Sequence, residues 1–379
     1  MRRRFSWRER KGNDMRKKIF LSPARYLQGR GILKDCAGEL MDAVGARLLL
    51  IADEVPMEHA GNALCEGLQD AGAAVWPIRF NGQSSLKEIE RIAAEGAEKE
   101  IDGVIAVGGG KTCDTARGVK DLLKAALAVV PTIASTDAPA ASLYAIYSEE
   151  DEVLEYRYTK NPDLVLVDTE VIARALARFL ASGIADALAT WMEARACAES
   201  DSPTTIGGHA TLAGLAIAER CEQVILQYGV QAYEANKAHV VTKAFDAVVE
   251  ANILLSGIGY ESGGLAAAHS IHNGLTVLPG KARETSHGEK VAFGTLVQMF
   301  LENRDRAEID RLVRFYRELD LPTTLAELGL QAADRPALER VGAAATAEGE
   351  TIHNMPFQVT GEDVVDAILA ADQYITSHF

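Results

Sequence analysis

The first half of the chain alternates short apolar runs with stretches of helical spacing. Arg47–Asp53 (Arg-Leu-Leu-Leu-Ile-Ala-Asp), Ala74–Phe80, Gly103–Val107, Ala128–Ala134 and Leu164–Val167 read as strands buried on both faces. Between them, Ser84–Glu100 places Leu86, Ile89, Ile92 and Ala93 at helical intervals. Strands of that length separated by helices predict a parallel sheet covered on both faces, with the Arg47–Asp53 strand as its first. A hairpin-like insertion over Leu143–Tyr158 interrupts the rhythm. After about Val171 the strand signal ends, and Ala181–Glu199, Thr211–Tyr228, Ala238–Leu255, Phe293–Glu302, Arg304–Leu319 and Glu362–Thr376 all carry helical spacing. The pattern predicts an α/β domain over residues 18–176 and an all-α domain over 177–379.

Composition narrows the class. A chain of 379 residues exceeds what one hydrophobic core usually organises, in keeping with two domains. No uninterrupted apolar stretch approaches the roughly 18–20 residues a bilayer span needs, so no membrane partner is expected. The net charge of −15 repels phosphate backbones and argues against nucleic acid, leaving a small soluble ligand. The charge is uneven: residues 1–18 hold nine Lys/Arg against Glu9 and Asp14. Residues 1–17 lack a secretory apolar core and read as a basic, disordered extension, with Met15 as an alternative start. Five scattered cysteines with no C-x-x-C pair argue against disulfides and for a cytoplasmic location.

Five stretches carry candidate chemistry. In Ile105–Asp114 an apolar strand runs into Gly108, Gly109 and Gly110 and then into a helix beginning near Lys111. Glycines admit a phosphate close to the backbone, and free N–H groups at a helix start attract an anion. The run matches neither G-x-G-x-x-G nor a Walker A loop. Asp53 closes its strand where a carboxylate can bind ribose hydroxyls and repel a 2′-phosphate, favouring NAD over NADP. Thr132, Ser135, Thr136 and Asp137 follow another strand end, where ligands of parallel sheets collect, and Asp137 could bind a substrate hydroxyl. His269 and His272 share a helical face, and His287 follows in Thr285–Lys290. Asp186, set among Ile184, Leu188 and Trp191, would be costly to bury unless paired or bound to a cation. One carboxylate and two imidazoles suit a divalent metal such as zinc and leave a fourth position open, although the spacing leaves their convergence unproved.

Taken in order, Gly108–Asp114, Pro131–Pro139, Asn161–Asp168, Ser182–Trp191, Gly263–Gly274, His287–Thr295 and Ala347–Asn354 resemble the glycerol dehydrogenases of the iron-containing, group III alcohol dehydrogenase superfamily. The resemblance covers residues 18–379 and implies a Rossmann-like NAD-binding domain, a helical metal-binding domain and a cleft between them, the fold shared with dehydroquinate synthase. It implies zinc bound by Asp186, His269 and His287. It implies NAD contacts from Asp53, from Gly108, Gly109, Gly110, Lys111 and Asp114, and from Thr132, Ser135, Leu143 and Tyr147. Asp137 matches the residue beside the polyol substrate, and His272 is a candidate proton relay or nicotinamide neighbour. Ala141 stands where similar enzymes commonly carry Ser, so one hydrogen bond to the cofactor is expected to be missing. The implied reaction is oxidation of glycerol to dihydroxyacetone by hydride transfer to NAD, in a cytoplasmic homo-oligomer, often an octamer. Alternatives are reduction of small aldehydes or 2-keto compounds on the same site, and a non-catalytic NAD-binding protein. A phosphate-bearing substrate would call for more basic residues than Lys281, Arg283 and Lys290.

Overall fold

The computed structural model describes residues 17–149 and 153–379; the expectation of a disordered basic extension therefore concerns residues that, apart from Lys17, lie outside the described ones. Six parallel strands form one sheet: β1 (Tyr26–Gly29), β2 (Arg47–Ala52), β3 (Ala74–Arg79), β4 (Gly103–Gly108), β5 (Ala126–Pro131) and β8 (Leu164–Asp168), in the spatial order β1-β8-β5-β4-β2-β3. The strands β2, β4, β5 and β8 are buried on both faces, as their unbroken Val/Ile/Leu/Ala runs require. The chain passes from β2 outward to β3, then crosses back to place β4 on the other flank of β2. The carboxyl ends of β2 and β4 thus flank the point where strand order reverses, the crevice where parallel sheets bind ligands.

The helices of this half are α1 (Ala37–Val44), the single turn α2 (Glu54–Pro56), α3 (Asn62–Asp70), α4 (Leu86–Ala97) and α5 (Gly110–Leu123). Leu40, Leu64 and Leu68 cover one face of the sheet, and Ile89, Ile92, Cys113, Ala116 and Val119 cover the other. The insertion forms an antiparallel hairpin, β6 (Leu143–Tyr147) paired with β7 (Val153–Tyr158).

From Thr169 onward the chain is helical: α6 (Thr169–Arg174), α7 (Ala177–Glu199), α8 (Leu212–Lys237), α9 (Lys243–Glu250), α10 (Ser256–Gly263), α11 (Ala267–Thr276), α12 (Lys281–Glu284), α13 (His287–Leu301), α14 (Arg306–Glu318), α15 (Arg335–Ala345) and α16 (Gly361–His378). Most of α7 is buried on every side, which makes it the central helix of this half. Two apolar clusters surround it, one with α8, α9 and α14, the other joining α11, α13, α15 and α16.

The structure departs from the sequence expectations in several places. The strand β3, expected to be buried on both faces, is an edge strand with Ala74, Pro77 and Arg79 exposed. The helix expected to end at Tyr228 runs on to Lys237. The first strand is β1, not β2; Tyr-Leu-Gln-Gly is a half-buried edge strand with no apolar run to announce it. The strand expected over Ala128–Ala134 starts at Ala126 and stops at Pro131. Residues 238–242 are not helical: His239 takes a left-handed backbone, and Thr242 then caps α9, which continues through a π-turn (Ala251–Leu255) into α10. Helix α13 begins six residues earlier than the Phe293 start, at His287, because Ser286 and Glu289 form a reciprocal capping box. All five cysteines are free, in keeping with their spacing, and all five are buried.

Candidate metal and dinucleotide site

The helix α7 carries Asp186 into the interior with 1% of its surface exposed. Burying an ionised carboxylate costs several kcal/mol unless partners replace water, and two imidazoles do so. His287 Nε2 lies 3.0 Å and His269 Nε2 3.3 Å from Asp186 Oδ1. The three ligand atoms fall within 4.8 Å of one another, the only such triad among the described residues. Burial alone would raise the Asp186 carboxyl, but His287 and the hydrogen bonds from both imidazoles outweigh it and hold the group well below the ordinary range.

Each imidazole is held by its other nitrogen. His269 Nδ1 donates to Glu193, two turns along α7 and fully buried. The other Glu193 oxygen accepts the backbone N–H groups of Ala266 (2.9 Å) and His269 (3.0 Å), which fixes the start of α11. His287 Nδ1 lies 3.0 Å from His272 Nε2, and His272 Nδ1 lies 3.0 Å from Asn273 Oδ1. Because the Asn273 amide donates to Glu350 at 3.0 Å, its oxygen faces His272 and accepts. His272 is therefore protonated on Nδ1, and His287 donates from its own Nδ1. Burial, with His287 and Lys290 next in order, lowers the His272 pKa well below the ordinary value and keeps the ring neutral. In both His269 and His287 the other nitrogen is engaged, so Nε2 is the atom turned toward Asp186; it hydrogen-bonds the carboxylate here and would offer its lone pair to a cation on giving up that proton. The donor set fits a divalent cation.

Asp137 closes the loop after β5. Its N–H donates to Asp186 Oδ2 (3.3 Å), and its own Oδ2 accepts from Ser256 Oγ (2.9 Å). Burial and, next, the charge on Asp186 raise its carboxyl well above the usual range. Two adjacent carboxyl groups are pushed in opposite directions, a pattern typical of reacting sites.

At the sheet, Asp53 ends β2 and starts α2, with its carboxyl raised by partial burial against the opposing Val55 amide and Arg79 charge. Gly108 ends β4, and Gly109 stands at the N-cap of α5 with no side chain capping it. The first-turn N–H groups of a 14-residue helix are left for an incoming anion. A Cβ on Gly110 would sit 3.6 Å from Thr136 Oγ1 and 3.8 Å from Ala138, so this turn abuts the loop that carries Asp137. Thr132 N–H donates to the Gly108 carbonyl (3.2 Å), and the Ser135 carbonyl accepts from Ser182 Oγ (3.2 Å) on α7. Lys111 Nζ lies 5.1 Å over the Tyr147 ring, and Leu143 opens the same strand, β6. The uncapped glycine turn, with Asp53 at the neighbouring strand end, fits a dinucleotide.

Asp114 faces inward instead. It accepts from the Ala145 amide and lies 3.6 Å from Arg117, and burial raises its carboxyl to about 7. Ala141 is buried and offers only its carbonyl, which accepts from Arg117 Nε at 2.9 Å. Glu193, Arg117 and Glu261 went unremarked in the sequence reading. For Glu193 a signal existed: it stands seven residues after Asp186, on the same face of an otherwise apolar helix.

The chain is similar to several known proteins. The family profile described as iron-containing alcohol dehydrogenase matches residues 23–169. A glycolaldehyde reductase of Halobacterium salinarum is 48% identical over 94% of this chain and 97% of its own length. A glycerol dehydrogenase of Escherichia coli is 45% identical, again over 94% and 97%. The crystal structure of a probable glycerol dehydrogenase from Sinorhizobium meliloti superposes with a TM-score of 0.90 at 41% identity, covering 96% of this chain and all of the other.

Proposed function

The chain belongs to the iron-containing alcohol dehydrogenase family, and from that premise we propose that it oxidises glycerol to dihydroxyacetone with NAD as hydride acceptor and zinc as the metal. The observation that carries the reading is the meeting of Asp186, His269 and His287 on one point, 83 and 101 residues apart from the aspartate, beside a second carboxyl group, Asp137. When bound, the cation would supply polarisation of a substrate hydroxyl and the nicotinamide would supply a hydride acceptor.

The chain's own groups do the rest. Asp186, His269 and His287 would hold the metal, with Glu193 and His272 fixing the two rings. The engagement of both His272 nitrogens supports a positioning role over a proton relay. Asp137, oriented by Ser256, would hydrogen-bond a neighbouring hydroxyl of the polyol, with its raised carboxyl suited to a partner that both donates and accepts. The amides of Gly109, Gly110 and Lys111 would hold the pyrophosphate, and Asp53 the adenosine ribose. Thr132, Ser135, Leu143 and Tyr147 would line the path toward the nicotinamide, where the two reacting carbons must lie adjacent. Asp114 would contribute by holding β6 in place rather than by contact.

Among the described residues no helix is long and apolar enough to cross a membrane. A cytoplasmic homo-oligomer, an octamer in the resemblance, completes the proposal; the five buried free thiols suit a reducing compartment.

The test follows NADH absorbance with glycerol and NAD at mildly alkaline pH, before and after chelation, with zinc or iron returned separately. Turnover abolished by chelation and restored by zinc supports the proposal; recovery with iron alone replaces the metal; NAD binding without turnover points to a binding protein. The glycolaldehyde reductase relative favours one second reading, reduction of a small hydroxyaldehyde with NADH on the same residues. A higher kcat/KM for glycolaldehyde than for either member of the glycerol pair would establish it.

A further inference from the structure

The helix α10 grips both ends of the segment that joins the metal site to the cofactor strand. At its first residue, Ser256 donates to Asp137, and Ser256 is itself 2.8 Å from Thr190 of α7. Near its end stands Glu261, fully buried. One Glu261 oxygen accepts three donors: Ser142 N–H at 2.5 Å, Ser142 Oγ at 2.6 Å and Leu143 N–H at 3.3 Å. The other accepts Asn161 Nδ2 at 2.8 Å, and that amide also donates to the Ala140 carbonyl at 3.0 Å. Every donor belongs to the sheet half, whereas the carboxylate belongs to the helical half. From the far side Arg117, also fully buried, donates to the carbonyls of Ala138, Pro139 and Ala141. The segment from Asp137 to Leu143 is thus pinned at each end by one helix and along its back by one guanidinium.

We infer that Glu261 is a positioning residue for hydride transfer: it fixes the start of β6, and with it the nicotinamide, at a set distance from Asp137 and the metal ligands. This rests on the proposed NAD-linked dehydrogenase reading. The chemistry of the contact explains why a carboxylate stands there. Four donors and no acceptor face it, so a charged, acceptor-only group satisfies them all. A glutamine would turn an NH2 group against at least one donor. Beyond Gly263 the same chain turns directly into Ala266 and α11, which carries His269. A movement of α10 would therefore disturb cofactor, substrate carboxyl and metal ligand together.

The experiment compares zinc-loaded wild type, Ser142→Ala and Glu261→Gln for zinc content, NADH affinity by fluorescence, kcat and KM, and the isotope effect with glycerol deuterated at C2. Loss of a hydrogen bond to a buried charge is expected to lower kcat/KM for NAD about tenfold in Ser142→Ala and further in Glu261→Gln. Zinc content should stay at the wild-type value, NADH binding should weaken, and the isotope effect should rise as hydride transfer becomes limiting. Wild-type NADH affinity and isotope effect in a folded, zinc-loaded Ser142→Ala enzyme, with only the melting temperature lowered, would overturn the inference, whether or not Glu261→Gln folds. A wild type that binds NADH but leaves glycerol untouched would sink the substrate reading, and the NADH affinities of the variants would still decide the role of Glu261.

Discussion

Replacing Glu193 by Gln changes no volume and removes one charge, yet it strikes the metal site through the tautomer of His269. The wild-type carboxylate accepts three N–H groups: two from the backbone of Ala266 and His269, and one from His269 Nδ1. Glutamine has two possible orientations there. If its oxygen keeps the backbone donors, its NH2 faces Nδ1, which must then give up its proton. The ring switches to the Nε2–H form, and the nitrogen turned toward Asp186 can no longer ligate. If the amide flips, Nδ1 keeps its partner but two buried backbone donors meet an NH2 group, at about 1–3 kcal/mol for each unsatisfied donor. Partners of ligating imidazoles generally contribute 10–100-fold to metal affinity. With both orientations obstructed and Glu193 itself fully buried, the upper end applies: about 100-fold, or about 2.7 kcal/mol. Competition with a chromophoric chelator at fixed pH measures it directly, independently of turnover. A folded Glu193→Gln protein that binds zinc as tightly as wild type would refute the orienting role of Glu193 and the tautomer argument with it.

Three other perturbations test separate parts of the structure. His272→Ala should weaken zinc only about tenfold, at the low end of the same range, because the His287 side chain is 37% exposed and water can take the vacated Nδ1–H bond; a loss as large as that in Glu193→Gln would show that the two supports are equivalent. Asp53→Gly should relax the preference for NAD toward NADP by removing a carboxylate that repels a 2′-phosphate; an unchanged ratio of kcat/KM values would remove Asp53 from the ribose site. Burial raises Asp114 to about 7, above its unfolded value near 3.8, so its stabilising contribution is full below about pH 4 and is lost as pH rises through 7. Asp114→Asn, which stays neutral, should therefore melt progressively higher relative to wild type from pH 5 to about 7 and keep a level difference above that, and a constant difference from pH 5 to 7 would contradict the assignment.

Much of the fold was legible because its strands are buried on both faces. Arg47–Ala52, Gly103–Gly108 and Leu164–Asp168 must be unbroken apolar runs, and few other elements produce them. The edge strand β1 was not legible for the converse reason: a half-buried Tyr-Leu-Gln-Gly segment is held by its pairing with β8, which a linear pattern does not record. The early start of α13 was written in the chain as Ser286-His-Gly-Glu289, a capping box, but apolar periodicity alone begins later. Asp186 stood out in the sequence, since a carboxylate among Ile184, Leu188 and Trp191 demands a partner, but that His269 and His287 meet it is recorded only in the fold. Their supports could not be read: Glu193, Arg117 and Glu261 act by where their hydrogen bonds end, in segments up to 119 residues away.

The convergence of the three ligands depends on contacts that hydrophobic periodicity does not encode. At the N-terminal half of α7, Gly183 faces the loop after β5, and a Cβ there would lie 2.0 Å from the Ala134 carbonyl oxygen. On its other side Gly288 of α13 faces the Ser182 carbonyl, where a Cβ would come within 1.9 Å. The central helix is thus in backbone contact with the Asp137 loop on one flank and with the His287 helix on the other, and only hydrogen side chains allow it. Gly288→Ala must push α13 outward, and with it His287, from an Nε2 that sits 3.0 Å from Asp186 Oδ1. Overpacking of this kind costs about 1–3 kcal/mol in stability, a moderate loss for a protein of this size. The cost to metal binding should be far larger, because a ligand displaced by even half an ångström no longer meets the other two. Zinc stoichiometry and melting temperature measured on the same Gly288→Ala preparation separate the two effects. Full zinc occupancy at wild-type affinity would mean that the helices can part without moving the ligands, and that this contact does not set the site.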